Sequence, residues 1–461
     1  MEKDLTKRYT LIVITLASFL TPFMGSAINL AIPSIGKDFN SSTIILSWVA
    51  TSYILASAAF LVPFGRLSDI IGRKRIFLIG ITFFFIATIL CGLAWSMETL
   101  IIFRIIQGIG SAMIFSTGMA LLTSAFPPQE RGKVLGINVA TVYVGLSLGP
   151  VLGGTLNHHL GWHSIFFFTS VIALVALIIA VMKLKTEWIG TSGEGFDYMG
   201  SVLYIIGFTA FMYGISSITT VPAAKVILLS GIVLLIIFGF YEINIKHPIL
   251  NLSLFKNITF AFSNLAALIN YSATFSLGFL LSLYLQEIQG YDSQVTGIIL
   301  LSQPIIMTVL SPITGTLSDR VEPRVLATLG MAIATLGLFF FYFLTQDTSL
   351  WLIILNLIFL GSGFALFSSP NSNAVMGAVE KRYYGIASST LGTMRLTGQA
   401  ISMAVVTLLM AIFLGNAELT PAVSAELMTC TKTAFAIFAL ISFAGIFASW
   451  ARGKRNETVS H

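Results

Sequence analysis

The sequence predicts an all-α polytopic membrane protein of fourteen transmembrane helices, grouped six, two and six, in which the two sets of six form parallel bundles. Three observations lead there. Of 461 residues, 56% are hydrophobic and only 10% charged, against about 25% charged in soluble domains, so lipid is the solvent for most of the chain. Runs of roughly 20 apolar residues, the length that crosses a bilayer core, recur along the whole chain. Two segments also return at near-constant offsets: GRLSD at 65–69 as GTLSD at 315–319, and GIGSAMIFSTGMA at 108–120 as GSGFALFSSPNSNA at 361–374, separations of 250 and 253.

Cutting at charges and turn residues places the spans in order. The first six cover 10–32, 44–65, 76–95, 99–122, 133–156 and 163–184. An unmatched pair follows at 198–218 and 224–243, and the last six cover 259–285, 293–314, 324–345, 349–370, 384–414 and 429–451. Lys3, Lys7 and Arg8 before the first run imitate a signal peptide, but the apolar stretch continues to about Pro33 and leads into further spans, so it reads as a retained helix. The predicted units are therefore 1–184, an inserted pair with its linkers at 185–258, and 259–461. Alternating the sides from a cytoplasmic N-terminus leaves Lys37, Lys225 and Lys432 outside, Arg104 and Arg395 within spans, and the other 20 of 25 basic residues inside, the segregation expected of cytoplasmic loops. Both termini are expected in the cytoplasm and the chain in the cell membrane.

The net charge of +6 is dispersed between apolar runs, which speaks for topology and against a nucleic-acid partner. Cys91 and Cys430 are too few and too separated for a disulfide framework or metal spacing. HHLGWH, with His158, His159 and His163, reads as a solvated outer loop with Trp162 at the membrane interface.

The residues GRLSDIIGRKR, from Gly65 to Arg75, sit between two spans. Gly65 lets helix ends approach, Asp69 is suited to accept hydrogen bonds or face a neighbouring helix N-terminus, and Arg73 with its basic neighbours holds the turn at a charged surface. The stretch resembles the loop between the second and third helices of the major facilitator superfamily, and Asp319 is its counterpart in the second half. FRIIQG places Arg104 and Gln107 three apart on one face of span four. It resembles the family's fourth-helix motif, whose arginine is associated with proton coupling; an arginine that only braces the bundle is the other reading. GLSLGPVLGG supplies Gly145, Gly149, Pro150, Gly153 and Gly154 in span five. Small residues spaced by four allow tight helix contact, and the string resembles the fifth-helix motif associated with exporters. FDYMG at 196–200 and HPILNLSLFKN at 247–257 bracket the inserted pair and resemble the fourteen-helix drug:proton antiporter branch.

The sequence departs from that branch in the first helix, where FMGSAINLAIP keeps Asn29 and Pro33 but carries no acid. Polar residues left to line a cavity are Asn29, Tyr53, Asn138, Tyr143, Asn264, Asn270, Tyr271, Gln303, Asn371, Asn373 and Gln399, with Arg395 as a second charge. Two arginines without acids favour a neutral, zwitterionic or anionic amphiphile. The resemblance implies a secondary transporter that exports small amphiphilic molecules, multidrug-fashion, by alternating access. It implies no cofactor, the proton gradient as energy source, and a functional monomer. A lipid or glycolipid flippase, a nutrient importer and a membrane-embedded enzyme are the competing readings.

Overall fold

The computed structural model describes residues 2–39, 43–191, 193–218, 221–250, 252–291, 293–414 and 424–453. It is helical throughout the described residues, and fourteen spans are long and apolar enough to cross a membrane. The first six helices are α1 (Glu2–Phe39), α2 (Thr43–Ile71), α3 (Arg73–Gly92), α4 (Met97–Ala125), α5 (Pro128–Leu160) and α6 (His163–Lys183). The inserted pair is α7 (Tyr198–Ser216) and α8 (Ala224–Asn244). There follow α9 (Ile258–Thr274), α10 (Leu277–Leu283), α11 (Ser293–Leu300), α12 (Ser302–Arg320), α13 (Pro323–Phe341), α14 (Leu350–Gly377), α15 (Tyr384–Phe413) and α16 (Ser424–Ala451).

Two of the predicted spans are each built from two pieces. The span expected at 259–285 breaks between α9 and α10, where the Ser276 amide leaves the helical ladder and donates to Ser402 Oγ of α15 at 3.2 Å. That expected at 293–314 breaks at Leu301 between α11 and α12. Pro304 follows and has no N–H to offer the carbonyl four residues back. Several helices also outrun the apolar runs, α1 and α5 most of all, because the helix continues through its polar ends.

Helices α1 to α6 pack among themselves, with α1 on α5 and α6 and with α2 and α3 on α4. In the second half α13 packs on α14 and α16, and α9 on α15 and α16. The duplication read from sequence is repeated in the packing. Gly80 and Gly110 bring α3 and α4 into backbone contact, where a Cβ on Gly110 would stand 2.9 Å from the Gly80 carbonyl. Gly330 and Gly363 do the same for α13 and α14, with a Cβ on Gly363 at 2.8 Å from the Gly330 carbonyl. These positions carry the same offsets, 250 and 253, as the repeated motifs.

The inserted pair lies against one seam of the molecule, α7 touching both α2 and α15 and α8 packing on α7. Most of α8 faces outward, with Val226 70% exposed, as expected of a lipid-facing helix. The foot of the pair is tied down: Asp197 Oδ1 caps α7 by accepting from the Gly200 amide at 2.9 Å, and Glu242 of α8 accepts from the Leu250 amide of the following loop at 3.2 Å. One expectation fails. Trp162 is buried, not interfacial: its indole donates to Asp38 Oδ2 at 2.7 Å and stacks on His163, because the end of α1 reaches over the loop.

Candidate functional site: a sealed basic end and a polar midplane

The end of the molecule where α1 begins carries the GRLSD motif and its copy, and there the two halves meet through α2 on α15 and α5 on α12. Asp69, fully buried, accepts from the Gly385 and Ile386 amides at 3.1 and 3.2 Å. These are the second and third residues of α15, whose N–H groups have no partner within the helix. Asp69 also accepts from Arg73 Nε at 2.9 Å and Nη2 at 2.7 Å, and Arg73 reaches on to the Lys381 carbonyl and Ser124 Oγ at 2.7 and 2.6 Å. Gly65 makes the approach possible, since a Cβ there would stand 2.8 Å from the Gly385 carbonyl. In the second half Asp319 accepts from the Gly132 and Lys133 amides of α5 at 3.0 and 3.2 Å. Each half thus holds the other by an aspartate near a helix N-terminus, where the macrodipole favours negative charge.

The linker after α6 wraps the same turn. Gly190 and Thr191 amides both donate to the Asp69 carbonyl at 2.9 Å, and the Arg73 amide donates to the Trp188 carbonyl at 3.0 Å. Glu187 accepts from the Lys74 and Arg75 amides at the start of α3, at 2.8 and 3.2 Å. Arg66 forms an ion pair with Glu194, which also lies 3.5 Å from His247 Nδ1. Burial by itself would raise the Glu194 carboxyl, but the Arg66 hydrogen bond and charge, with His247, hold it below the usual carboxylate range.

Arg104 and Gln107 are brought together, as their spacing predicts. Arg104 is 1% exposed; its Nε donates to the Val49 carbonyl at 2.8 Å and its Nη1 to Gln107 Oε1 at 2.6 Å. Gln107 passes the chain on to Thr88 Oγ1 at 2.7 Å. The guanidinium lies 4.3 Å from the Tyr53 ring, and the Tyr53 hydroxyl donates to Ser111 Oγ at 2.8 Å. The network spans α2, α3 and α4 and holds a fixed positive charge inside the first half. The glycine string of α5 faces α1: a Cβ would stand 2.6 Å from the Phe19 carbonyl at Gly145, 2.5 Å from Ser26 Cβ at Gly149 and 2.6 Å from Ala27 Cβ at Gly153. Pro150 and Gly154 are half-buried in the same continuous helix.

Near the midplane a second polar group gathers from α5, α9, α14 and α15. Arg395, half-buried, donates from Nη2 to Ser372 Oγ at 2.7 Å and lies 5.7 Å from the Tyr271 ring. Tyr143 sits within electrostatic reach of Arg395 and Tyr271. Among the described residues its hydroxyl has no hydrogen-bond partner, nor have Asn138 Oδ1, Asn371 Oδ1 or either amide atom of Asn270. Gln399 lines a crevice of about 70 Å³ with Thr51, Leu55, Met212, Phe275 and Met403.

Three comparisons with known proteins agree with this architecture. The model of the Major Facilitator Superfamily matches residues 14–265 and 263–460. The chain belongs to the major facilitator superfamily. Among its relatives are the riboflavin transporter RibZ of Clostridioides difficile, 31% identical over 392 residues (84% of this chain and 85% of RibZ), and the multidrug resistance protein Stp of Mycobacterium tuberculosis, 31% identical over 425 residues (90% of this chain and 78% of Stp). The fold matches the crystal structure of the human organic anion transporter MFSD10 with a TM-score of 0.69 over 96% of this chain and 99% of that one, at 13% identity. As a member of the superfamily the protein is a membrane transporter of small molecules and not an enzyme.

Seen within the superfamily fold, the residues singled out from sequence fall into three places. Gly65, Asp69, Arg73 and Asp319 form the sealed end, and Asn373 joins them, its Nδ2 at 3.0 Å from Ser318 Oγ, instead of lining a cavity. Asn264 is spent inside its own helix on the Phe260 carbonyl at 2.9 Å. Asn138, Tyr143, Asn270, Tyr271, Asn371 and Arg395 are buried or half-buried in the midplane helices, while Tyr53 belongs to the Arg104 network. Gln303 is half-buried on α12, where its carbonyl meets Gly361. The side chain of Asn29 lies outside the described residues. Sequence reasoning missed Ser372, Glu187, Trp188, Thr191 and Glu194. The two glutamates carried a signal, being acids on a linker at the basic end of the molecule.

Proposed function

We propose that this member of the superfamily exports small amphiphilic molecules across the cell membrane in exchange for protons, multidrug-fashion, as a monomer with both termini in the cytoplasm. The units that rock are residues 1–184 and 259–461, with 185–258 riding on their seam. The observation that carries the reading is the pair of aspartate latches joining the halves at the basic end. By the distribution of Lys and Arg that end faces the cytoplasm, so the arrangement corresponds to a carrier closed inwards, one of the two states alternating access requires. The α5 glycine string sutured to α1 supports export, as the motif it resembles implies. In this reading Arg104 is a fixed charge, since a guanidinium stays protonated at working pH. Gln107 and Tyr53 hold it in place, so that it biases a titrating partner during the cycle.

The test is transport of fluorescent amphiphiles by the purified protein in proteoliposomes, with and without an imposed pH gradient, for wild type and Arg104→Ala. Gradient-driven transport that falls at least tenfold in the variant is expected; transport indifferent to both the gradient and Arg104 would remove proton coupling. The crevice lined by Met212 of α7 and Gln399 of α15 favours, as a second reading, a flippase for lipids or glycolipids. Vesicles carrying a headgroup-labelled lipid separate the two.

A further inference from the structure

We infer that Arg395, framed by Tyr271, Tyr143 and Ser372, is the headgroup site for a lipophilic monoanion, a carboxylate or sulfonate on an apolar body. The inference rests on the transport reading and specifies the charge of what is carried.

Arg395 is eleven residues into α15, a rise of about 16 Å, so its charge lies deep in the membrane, where an arginine needs a partner or a polar cavity. Two other buried arginines have theirs, while Arg452, just past α16, reaches only Ser449. Arg73 is ion-paired to Asp69, and Arg104 is enclosed by a carbonyl, a glutamine and a tyrosine ring. Among the described residues Arg395 makes one hydrogen bond, to Ser372, and no ion pair. It is also only half-buried, so its remaining N–H donors are free to receive a ligand. The neighbouring buried groups are unsatisfied in a complementary way. The Tyr143 hydroxyl, beside Ser368, completes no hydrogen bond among the described residues and is able to donate to an oxyanion beside the guanidinium; the amide of Asn270, the residue before Tyr271 on α9, is likewise unpaired. Buried donors left unpaired cost free energy that a ligand or water must return. Among the described residues no carboxylate pairs with Arg395 to repel an anion or to hold a cation.

The shape of the surroundings supplies the other half of the ligand. Residues 395, 399 and 403 are spaced by four on α15 and share a face. Gln399 and Met403 on that face line the crevice of about 70 Å³ whose walls, Leu55, Met212 and Phe275, are apolar and come from α2, the inserted α7 and the α9–α10 break. A molecule with its anionic head on Arg395 would lie along α15 and place its apolar end there. The inserted pair would then contribute Met212 to substrate contact, in addition to covering the seam.

The test uses the full-length protein and three probes with one pyrene body: pyrenebutyrate, its uncharged amide, and the corresponding quaternary ammonium. Binding to purified protein and transport into proteoliposomes are both measured. Wild type is expected to bind the butyrate at least about tenfold more tightly than the amide, the scale of one charge-assisted pair, and the ammonium least. Arg395→Gln is expected to abolish the preference for the acid over the amide, and Arg395→Lys to restore part of it, because a point charge lacks the fork that holds two oxygens. Met212→Trp is expected to weaken the butyrate and the amide by the same factor. If wild type carries the amide or the ammonium but not the butyrate, the proposal is overturned while the exporter reading stands. If wild type binds and moves none of the three, both are overturned. The wild-type order of preference needs no variant and decides the matter even if Arg395→Gln fails to fold.

Discussion

The two latches at the basic end are copies of one motif, yet they are unequally built. Asp69 is fully buried, meets the free amides at the start of α15 and is clamped by Arg73. Asp319 is half-buried and meets Gly132 and Lys133, the fifth and sixth residues of α5, where intrahelical carbonyls compete for the same N–H groups. The position equivalent to Arg73 is Pro323, which opens α13 and offers no charge. Asn373 Nδ2 lies 3.3 Å from Asp319 Oδ1. The first latch also carries the linker from the inserted pair, through the Asp69 carbonyl. The duplicated halves therefore share a geometry but not a strength, and the stronger latch is the one the inserted helices can feel.

Breaking the stronger latch is expected to have the largest effect. Asp69→Asn leaves Arg73 buried without its counter-charge, a loss of about 3 kcal/mol for an uncompensated member of a buried pair. It should slow turnover severely and raise thiol labelling of a cysteine placed at the basic end of α15. A labelling rate equal to wild type would mean the latch does not hold that end closed. Asp319→Asn removes hydrogen bonds from a half-buried carboxylate and is expected to cost about 1 kcal/mol, with a smaller gain in labelling near α5. Equal effects of the two substitutions would erase the asymmetry.

The smallest effect concerns the linker. The Glu194 carboxyl is held below its ordinary value of 4.5 by Arg66 and His247 against the opposing pull of burial, so its ion pair contributes in full above that ordinary value. The contribution is lost as pH falls through the depressed one. The thermal midpoint of wild type should thus exceed that of Glu194→Gln by a constant margin at neutral pH, and the margin should close on acidification below about pH 4.5. A margin that instead opened on acidification would reverse the assigned sign.

Much of this was legible in the chain. Apolar run length gave the spans because a bilayer core has a fixed thickness, and the recurrence of GRLSD and of glycines at 250 and 253 residues gave the duplication. The pairing of Arg104 with Gln107 followed from helical spacing alone. Long-range partners were not legible. That Asp69 meets Gly385 and Ile386, more than 300 residues away, depends on how two bundles lean together, and no local pattern encodes it. The fate of the asparagines was equally hidden: Asn264 turns back on its own helix, Asn373 joins the latch and Asn270 finds no partner among the described residues, though all three are polar residues in apolar runs.

By itself the sequence determined that this chain lives in lipid, crosses it an even number of times and repeats a six-helix unit, because hydropathy, charge segregation and periodic glycines are local properties that the bilayer reads directly. Only the tertiary structure decided which aspartate is the strong latch, that the linker of the inserted pair closes over it, that Trp162 is buried beneath the end of α1, and that Arg395 stands without a counter-charge among the described residues. Each of these depends on which groups meet across the packed helices, where a low dielectric makes every paired or unpaired charge count.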